Sequence, residues 1–395
     1  MQTMTQQTTA HKKALECQKD QFSLPQNVHY LNCAYMAPLS KRVEAAGIAG
    51  VLRKSNPTAL NPSDFFTEAD EVRALFGQLV NAPAERIAFI PAASYGIATA
   101  AKNLKLRAGQ SIILLDEQFP SNVYSWRKFK EQGVELKTIK PAAGNQRGKD
   151  WNERILAAID KSTAVVALGH VHWTDGTLFD LEAIAKRARE VGAALIIDAT
   201  QSVGALPFDV ARLQPDALIV AGYKTLMGPY SIGCAYYSER FDKGEPLEEN
   251  WITRKDSDNF SGLVDYKDEY SPGMTRYDVG ERSNFTLMPM LKAALEDVLD
   301  RQPERIQTYC EGLTKDFIAA LEPLGYGVEA EAYRARHLFG LRLPRHVDLE
   351  QLKAWLLEKN IYASVRGTAL RVSTNVYNDE GDIAALQNVL EELAS

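Results

Sequence analysis

The stretch Leu195-Ile196-Ile197-Asp198-Ala199-Thr200-Gln201-Ser202-Val203-Gly204 decides the fold when taken with Val220-Ala221-Gly222-Tyr223-Lys224-Thr225-Leu226-Met227-Gly228-Pro229. Each is a short apolar run that stops abruptly at polar residues and glycine. An unbroken apolar run of that length describes a strand covered on both faces, the habit of parallel sheets packed between helices. Asp198 then stands at the carboxyl end of one strand and Lys224 just past the end of the next. Ligand crevices of open α/β sheets lie at those carboxyl ends. Alone, Lys224 reads as a solvated surface lysine and Asp198 as a helix cap. Their placement after two apolar runs, the second closed by Gly228-Pro229, weighs against that.

A carboxylate and an amine brought together there suit one chemistry above others. The amine forms a Schiff base with pyridoxal 5′-phosphate (PLP), and the carboxylate keeps the pyridine nitrogen protonated, so that the ring serves as an electron sink. The segments from Asp198 to Gln201 and from Gly222 to Pro229 resemble the signature of the class V aminotransferase family of PLP enzymes. That family includes cysteine desulfurases, kynureninases and isopenicillin N epimerase-like proteins, and the resemblance runs from about Tyr30 to the C-terminus. It implies the α/β, fold-type I architecture of PLP-dependent transferases: a large domain with a mostly parallel sheet and a small α+β C-terminal domain. It also implies a homodimer with a shared active site. The expected division is a polar leader over 1–20, a large PLP-binding domain over 21–265 and a small domain over 266–395.

Composition agrees with an enzyme of this size. The 395 residues are 45% hydrophobic, enough for two cores. Net charge is -6 with no basic block, which argues against a nucleic-acid partner. The cysteines, Cys17, Cys33, Cys234 and Cys310, are far apart and form neither a disulfide framework nor a zinc motif. No HExxH occurs, and no metal is expected; His170 and His172, alternating about Val171, read as core or cofactor-pocket residues. The first twenty residues lack the apolar core of a signal peptide, and no apolar run approaches a membrane span, so no membrane partner and a cytoplasmic location are expected.

Around the central pair, the chain reads as a βαβ alternation. A helix is expected over Ser63 to Leu79, a strand over Arg86 to Ile90, and then Pro91-Ala92-Ala93-Ser94-Tyr95-Gly96 opening a helix. Small residues at a strand-to-helix turn let backbone N–H groups approach an anion, and the helix dipole favours negative charge there. By resemblance this turn holds the PLP phosphate through the Ala93 N–H and the Ser94 hydroxyl. After the next strand, Ser111 to Leu115, relatives of the desulfurase type place a histidine over the pyridine ring. Here Phe119, with Pro120 and Ser121, looks more like the kynureninase and epimerase-like branches. Gln201 matches the residue that hydrogen-bonds the PLP phenolic oxygen. Where many relatives read Ser-Gly-His-Lys, this chain reads Ala221-Gly222-Tyr223-Lys224, so the phosphate hydroxyl falls to Tyr223.

On the substrate side, Tyr35 lies in a segment resembling the family's N-terminal pocket wall, and Cys33 beside it reads as a small buried residue. Trp173 stands where most relatives carry asparagine and is expected to narrow the substrate pocket. Arg276 to Phe285 resembles the segment that crosses to the neighbouring subunit's phosphate, with Ser283 as the contact chosen. Arg371, inside the apolar run Leu370 to Ser373, matches the arginine that clamps the substrate α-carboxylate, a task for a planar guanidinium.

The expected activity is work at the α-carbon of an amino acid, with transamination first and C–S lyase or epimerase chemistry next. Cysteine desulfurization needs a cysteine before the arginine motif, and Ile361 to Arg371 has none. A non-catalytic PLP-binding regulator is expected to lack the lysine, which is present.

Overall fold

The computed structural model describes residues 14–394. The short strand β1 (His29–Tyr30) precedes helices α1 (Lys41–Arg53) and α2 (Thr67–Val80). The main sheet follows, with β2 (Ile87–Ile90), helix α3 (Ala93–Asn103), β3 (Ser111–Leu115), β4 (Glu135–Ile139), β5 (Thr163–Gly169), β6 (Ala194–Asp198), β7 (Ala217–Ala221) and β8 (Gly233–Tyr237). Its seven strands run in the order β2-β8-β7-β6-β5-β3-β4. All neighbours pair in parallel except β8, which is antiparallel to both β2 and β7. This is the mostly parallel α/β sheet expected from the two apolar runs.

Those runs are covered on both sides. Leu195, Ile197, Leu218 and Val220 enter one hydrophobic core, while Ala194, Ile196, Ala217 and Ile219 enter the other. Each fully buried Leu, Ile or Val contributes about 1.5–3 kcal/mol relative to exposure. The strands are therefore fixed from both faces, and the polar residues at their ends inherit that rigidity.

The C-terminal part carries β9 (Leu338–Arg342), β10 (Ile361–Tyr362), β11 (Ser364–Arg366) and β12 (Ala369–Ser373). Strands β9, β12 and β11 make an antiparallel sheet backed by its own core, which includes Phe317, Phe339, Leu352 and Leu386. Strand β1 pairs in parallel with β10, so residues 29–30 are stitched to the C-terminal unit although they precede the main sheet in sequence. From there the chain runs back to the main sheet: Cys33 N donates to Ser373 O (3.4 Å) and Ala37 N to Tyr223 O (3.0 Å). Residues 30–37 thus tie the two units together beside Lys224.

Of the expected leader, residues 1–13 lie outside the described residues. The rest is anchored: Gln18 N donates to Val376 O at 2.7 Å, and Lys19 pairs with Asp379 and Asp382, both at 2.9 Å. The helix expected from Ser63 splits into a 3-10 turn at Pro62–Phe65 and α2 proper. Strand β8 has no counterpart among the strands expected from the sequence. Among the described residues no helix is long and apolar enough to cross a membrane, and no cluster of three or more His, Cys, Asp or Glu is set to hold a metal.

Candidate active site

One edge of the main sheet collects the polar strand ends. The register pairs Gly169 with Asp198, Ala221 with Gly233, and Gly233 with Ile90. Because β8 runs antiparallel, its beginning meets the carboxyl ends of β2, β5, β6 and β7. A cavity of about 300 Å³ opens there, and its wall includes Ala93, Ser94, Phe119, Trp173, Asp198, Gln201, Tyr223 and Lys224. Arg371, Tyr35 and Ser283 do not line it.

Lys224 sits on a tight turn after β7. Gly222 N donates to Ile232 O and Gly228 N to Gly222 O, both at 2.9 Å. A Cβ on Gly222 would meet Ile232 O at 2.5 Å, so glycine is required for this approach. The lysine is buried, yet its Nζ makes no hydrogen bond or ion pair among the described residues. It lies 5.2 Å from the centroid of the Phe119 ring and 5.5 Å from that of Tyr223. Burial pulls its amine down to about 8; Asp198 opposes that pull, and Arg371 and Arg366 add to it. Near neutral pH its amine is therefore neutral far more often than that of an ordinary lysine.

Asp198 accepts a hydrogen bond from Thr200 N at 3.1 Å. Burial pushes its carboxyl upward, against the lowering effect of Thr200 and Lys224. A cation placed against this carboxylate would relieve that penalty.

Helix α3 enters the cavity uncapped. Its N-cap, Ala92, has no side-chain hydrogen bond, and the Ala93 and Ser94 N–H groups have no partner among the described residues. Two free donors, the positive end of a helix dipole and the Ser94 hydroxyl suit a phosphate. Tyr223, whose ring lies tilted 4.6 Å from that of Tyr230, adds a second hydroxyl to the wall. Gln201 Nε2 donates to Ala34 O at 3.1 Å, and its buried Oε1 is unpartnered. A carboxamide has two N–H donors, so one remains for a ligand oxygen. A free amine, an opposed carboxylate, unspent helix donors and this amide fit PLP.

On the substrate side, Arg371 is 1% exposed. Its Nη1 donates to Trp173 O (2.9 Å) and its Nη2 to Asn32 Oδ1 (3.3 Å), while Nε is unpartnered. Two of five N–H donors are thus engaged and three remain. Burial and Arg366 lower its guanidinium to about 10, still cationic at neutral pH. Trp173 donates Nε1 to Glu117 O at 2.7 Å and meets Phe119 edge-on, 5.4 Å between centroids at 81°. Its loop is pinned by Asp175, which pairs with Arg147 (2.7 Å) and Arg342 (2.9 Å). Tyr35 is exposed beside the segment that bonds the lysine turn. Cys33 is buried and its thiol is pushed up to about 11 by burial. Ser283 is buried next to Arg282, which pairs with Asp278 at 2.7 Å, and Asp278 also pairs with Arg73.

The sequence reading missed several wall residues. Tyr230, Ser231 and Ile232 come from the turn that leads into β8, the strand it did not find. Thr200 was inside the quoted motif and carried a visible signal: a hydroxyl residue two positions after Asp198. Its Oγ1 accepts from Ala221 N at 3.1 Å and so bolts the two strand ends together. His172 also reaches the wall, with Nδ1 bonded to Thr174 Oγ1 (2.8 Å) and Nε2 buried without a partner.

Comparison with known proteins agrees with this geometry. The family model "Aminotransferase class-V" matches residues 58–249. Isopenicillin N epimerase of Amycolatopsis lactamdurans is 24% identical, covering 95% of this chain and 98% of its own length. The apo cysteine desulfurase of Thermococcus onnurineus NA1 superposes with a TM-score of 0.82 at 21% identity, over 97% of this chain and 99% of that one. A variant of C-DES, solved with glycine covalently linked to its PLP cofactor, gives a TM-score of 0.84 at 19% identity, over 95% and 99%. The fold is that of PLP-dependent class V proteins. The chain is a PLP-dependent, class V aminotransferase-like enzyme, and its cofactor is pyridoxal 5′-phosphate.

Proposed function

We propose that this enzyme transaminates an amino acid. The observation that carries the reading is Lys224: a buried amine brought to about 8, with the ring of Phe119 beside it. When bound, PLP supplies an aldehyde carbon for an amine and a protonated pyridine that accepts electrons. The protein's own residues do the rest. The α3 N–H groups and the Ser94 and Tyr223 hydroxyls hold the phosphate, and Asp198 stabilises a proton on the pyridine nitrogen. Lys224 takes a proton at Nζ and returns it, as a base near neutral pH should. Phe119 excludes water and offers no proton of its own, which favours a single-base shuttle. Arg371 orients the α-carboxylate with its remaining donors.

Desulfurization is disfavoured. Strands β11 and β12 are joined directly by Gly367-Thr368, with no cysteine between Ile361 and Arg371. Cys33, near the lysine, is a buried thiol held far from its thiolate. Epimerisation is the second reading, supported by the similarity to isopenicillin N epimerase along nearly the whole chain. The test is to incubate holoenzyme with single amino acids and a keto-acid acceptor. Formation of the acceptor's amino acid without ammonia supports transamination. Pyruvate with ammonia makes it a C–S lyase, and the opposite enantiomer makes it an epimerase.

We further infer a homodimer with a shared active site. Exposed apolar residues support it: Ile48, Val51 and Leu52 on α1, and Tyr35, Met36 and Tyr230 near the site. Ser283 is the residue assigned to the neighbour's phosphate. Sedimentation equilibrium at about twice the mass of one chain is the expected result.

A further inference from the structure

We propose that Arg366 receives a second carboxylate, so that the substrate is an amino acid whose side chain ends in a carboxylate. The inference rests on the reading of this cavity as an amino-acid site and names the class of amino acid.

The placement follows from a short hairpin. Gly367, at φ +57, and Thr368 turn β11 directly into β12. The register sets Ser364 opposite Arg371 and Arg366 opposite Ala369. Residues directly opposite, and those two apart, share a face, so Arg366 and Arg371 project to the same side as a diagonal pair, about 7–8 Å apart at the backbone. That side faces the substrate wall. Ser364 Oγ and Arg371 Nη2 both donate to Asn32 Oδ1, and Arg371 Nη1 holds the carbonyl of Trp173. The Arg366 guanidinium lies 5.7 Å from the centroid of the Trp173 ring, and Trp173 lines the cavity.

Charge points the same way. Arg366 and Arg371 both lie close enough to Lys224 to repel its charge, and the one carboxylate that offsets them there, Asp198, belongs to the cofactor side. Arg366 is half-buried, donates to the carbonyl of its neighbour Val365 (2.8 Å), and pairs with no carboxylate among the described residues. The acids on the adjoining loops are committed: Glu117 to Arg147 at 3.2 Å, and Asp175 to Arg147 and Arg342. An α-carboxylate on Arg371 leaves Arg366 without an anion in a partly desolvated wall. A side-chain carboxylate completes the pairing, and the guanidinium fork is suited to it. An arginine at a hairpin turn is ordinarily a solvated charge. Its place over the ring of a cavity-lining tryptophan, on the same face as Arg371, sets this one apart.

The experiment uses holoenzyme of wild type, Arg366→Gln and Arg366→Lys. It measures kcat/KM for aspartate, glutamate, alanine and serine, and binding of glutarate and propionate through the absorbance of the bound cofactor. Wild type should prefer the acidic amino acids and bind glutarate more tightly than propionate. Arg366→Gln should lose roughly ten- to a hundredfold for acidic substrates and for glutarate, while alanine, serine and propionate stay within about twofold; Arg366→Lys should recover part of the loss. No preference for acids in wild type, or an equal loss for both substrate classes, overturns the proposal. Borohydride labelling separates the two levels. If Lys224 is labelled and the acid preference is absent, Arg366 alone is misread; if Lys224 is not labelled, the site itself is.

Discussion

Asp198 and Lys224 line the cavity from the ends of neighbouring strands, whereas the substrate side is built from segments far apart in the chain, with Trp173 on the cavity wall and Arg371 buried behind it, bonded to the Trp173 carbonyl. The cofactor wall is fixed by a sheet buried on both faces, and Thr200 ties its strand ends together. The substrate wall is fixed by cross-links between units: Arg371 to the Trp173 carbonyl, Arg371 and Ser364 to Asn32, and Gln201 to the Ala34 carbonyl. The first wall has one set of strand ends that it can present. The second can be altered by changing a loop, which is where substrate choice is expected to reside.

The largest effect expected is on the cofactor wall. Lys224→Ala should abolish the label that borohydride fixes between PLP and the wild-type chain, while PLP still binds noncovalently through the α3 end. Peptide mapping of the reduced wild-type protein checks this, and a label on another lysine would break the assignment. Next comes Asp198→Asn, which removes the charge that stabilises the pyridine proton. Turnover should fall on the order of 10²–10³, as when one preorganised partner of developing charge is lost, with a much smaller change in PLP affinity. Equal losses in both would make Asp198 a positioning group only.

On the substrate wall the effects should be smaller and fall chiefly on substrate binding. Arg371→Ala removes a fork of charge-assisted hydrogen bonds to a carboxylate already anionic in the ground state. The expected loss is about 1.5–3 kcal/mol, roughly ten- to two-hundredfold in apparent affinity, with PLP binding unchanged. Lysine should rescue only part of it. A comparison of an amino acid with its decarboxylated amine decides the matter, since equal weakening of both would remove Arg371 from the carboxylate.

The same division explains what the sequence could disclose. Strand β6 announces itself by an apolar run ending in Asp198, and β7 by one ending shortly before Lys224, because parallel strands buried on both faces have no polar side to interrupt them. The uncapped start of α3 was equally local, a matter of small residues after Ile90. The antiparallel β8 was hidden behind Gly228-Pro229, and Tyr230, Ser231 and Ile232 were lost with it. Arg366 carried no signal of its own, because its meaning comes from β11 pairing with β12 in a register that turns it toward Trp173. That Arg371 spends two donors on Trp173 O and Asn32 Oδ1 was likewise invisible, since the partners are 198 and 339 positions away.

The two walls meet electrostatically at one atom, Lys224 Nζ, and the finest test of the comparison is its titration. Burial lowers the amine to about 8; Asp198, from the cofactor wall, holds it up, and Arg371 and Arg366, from the substrate wall, push it further down. Only the neutral amine can attack an aldehyde. The rate at which apoprotein captures PLP covalently should therefore climb with pH below about 8, close to tenfold per unit, and level off above it. Asp198→Asn deletes the group that favours the ammonium, so its inflection should move to lower pH. Arg371→Ala deletes a like charge and admits water, both of which favour the ammonium, so its inflection should move to higher pH. Stopped-flow absorbance across pH 6 to 10 reads all three proteins. Opposite displacements would establish that each wall sets the reactivity of the shared lysine, and inflections that stay together would mean that burial alone does.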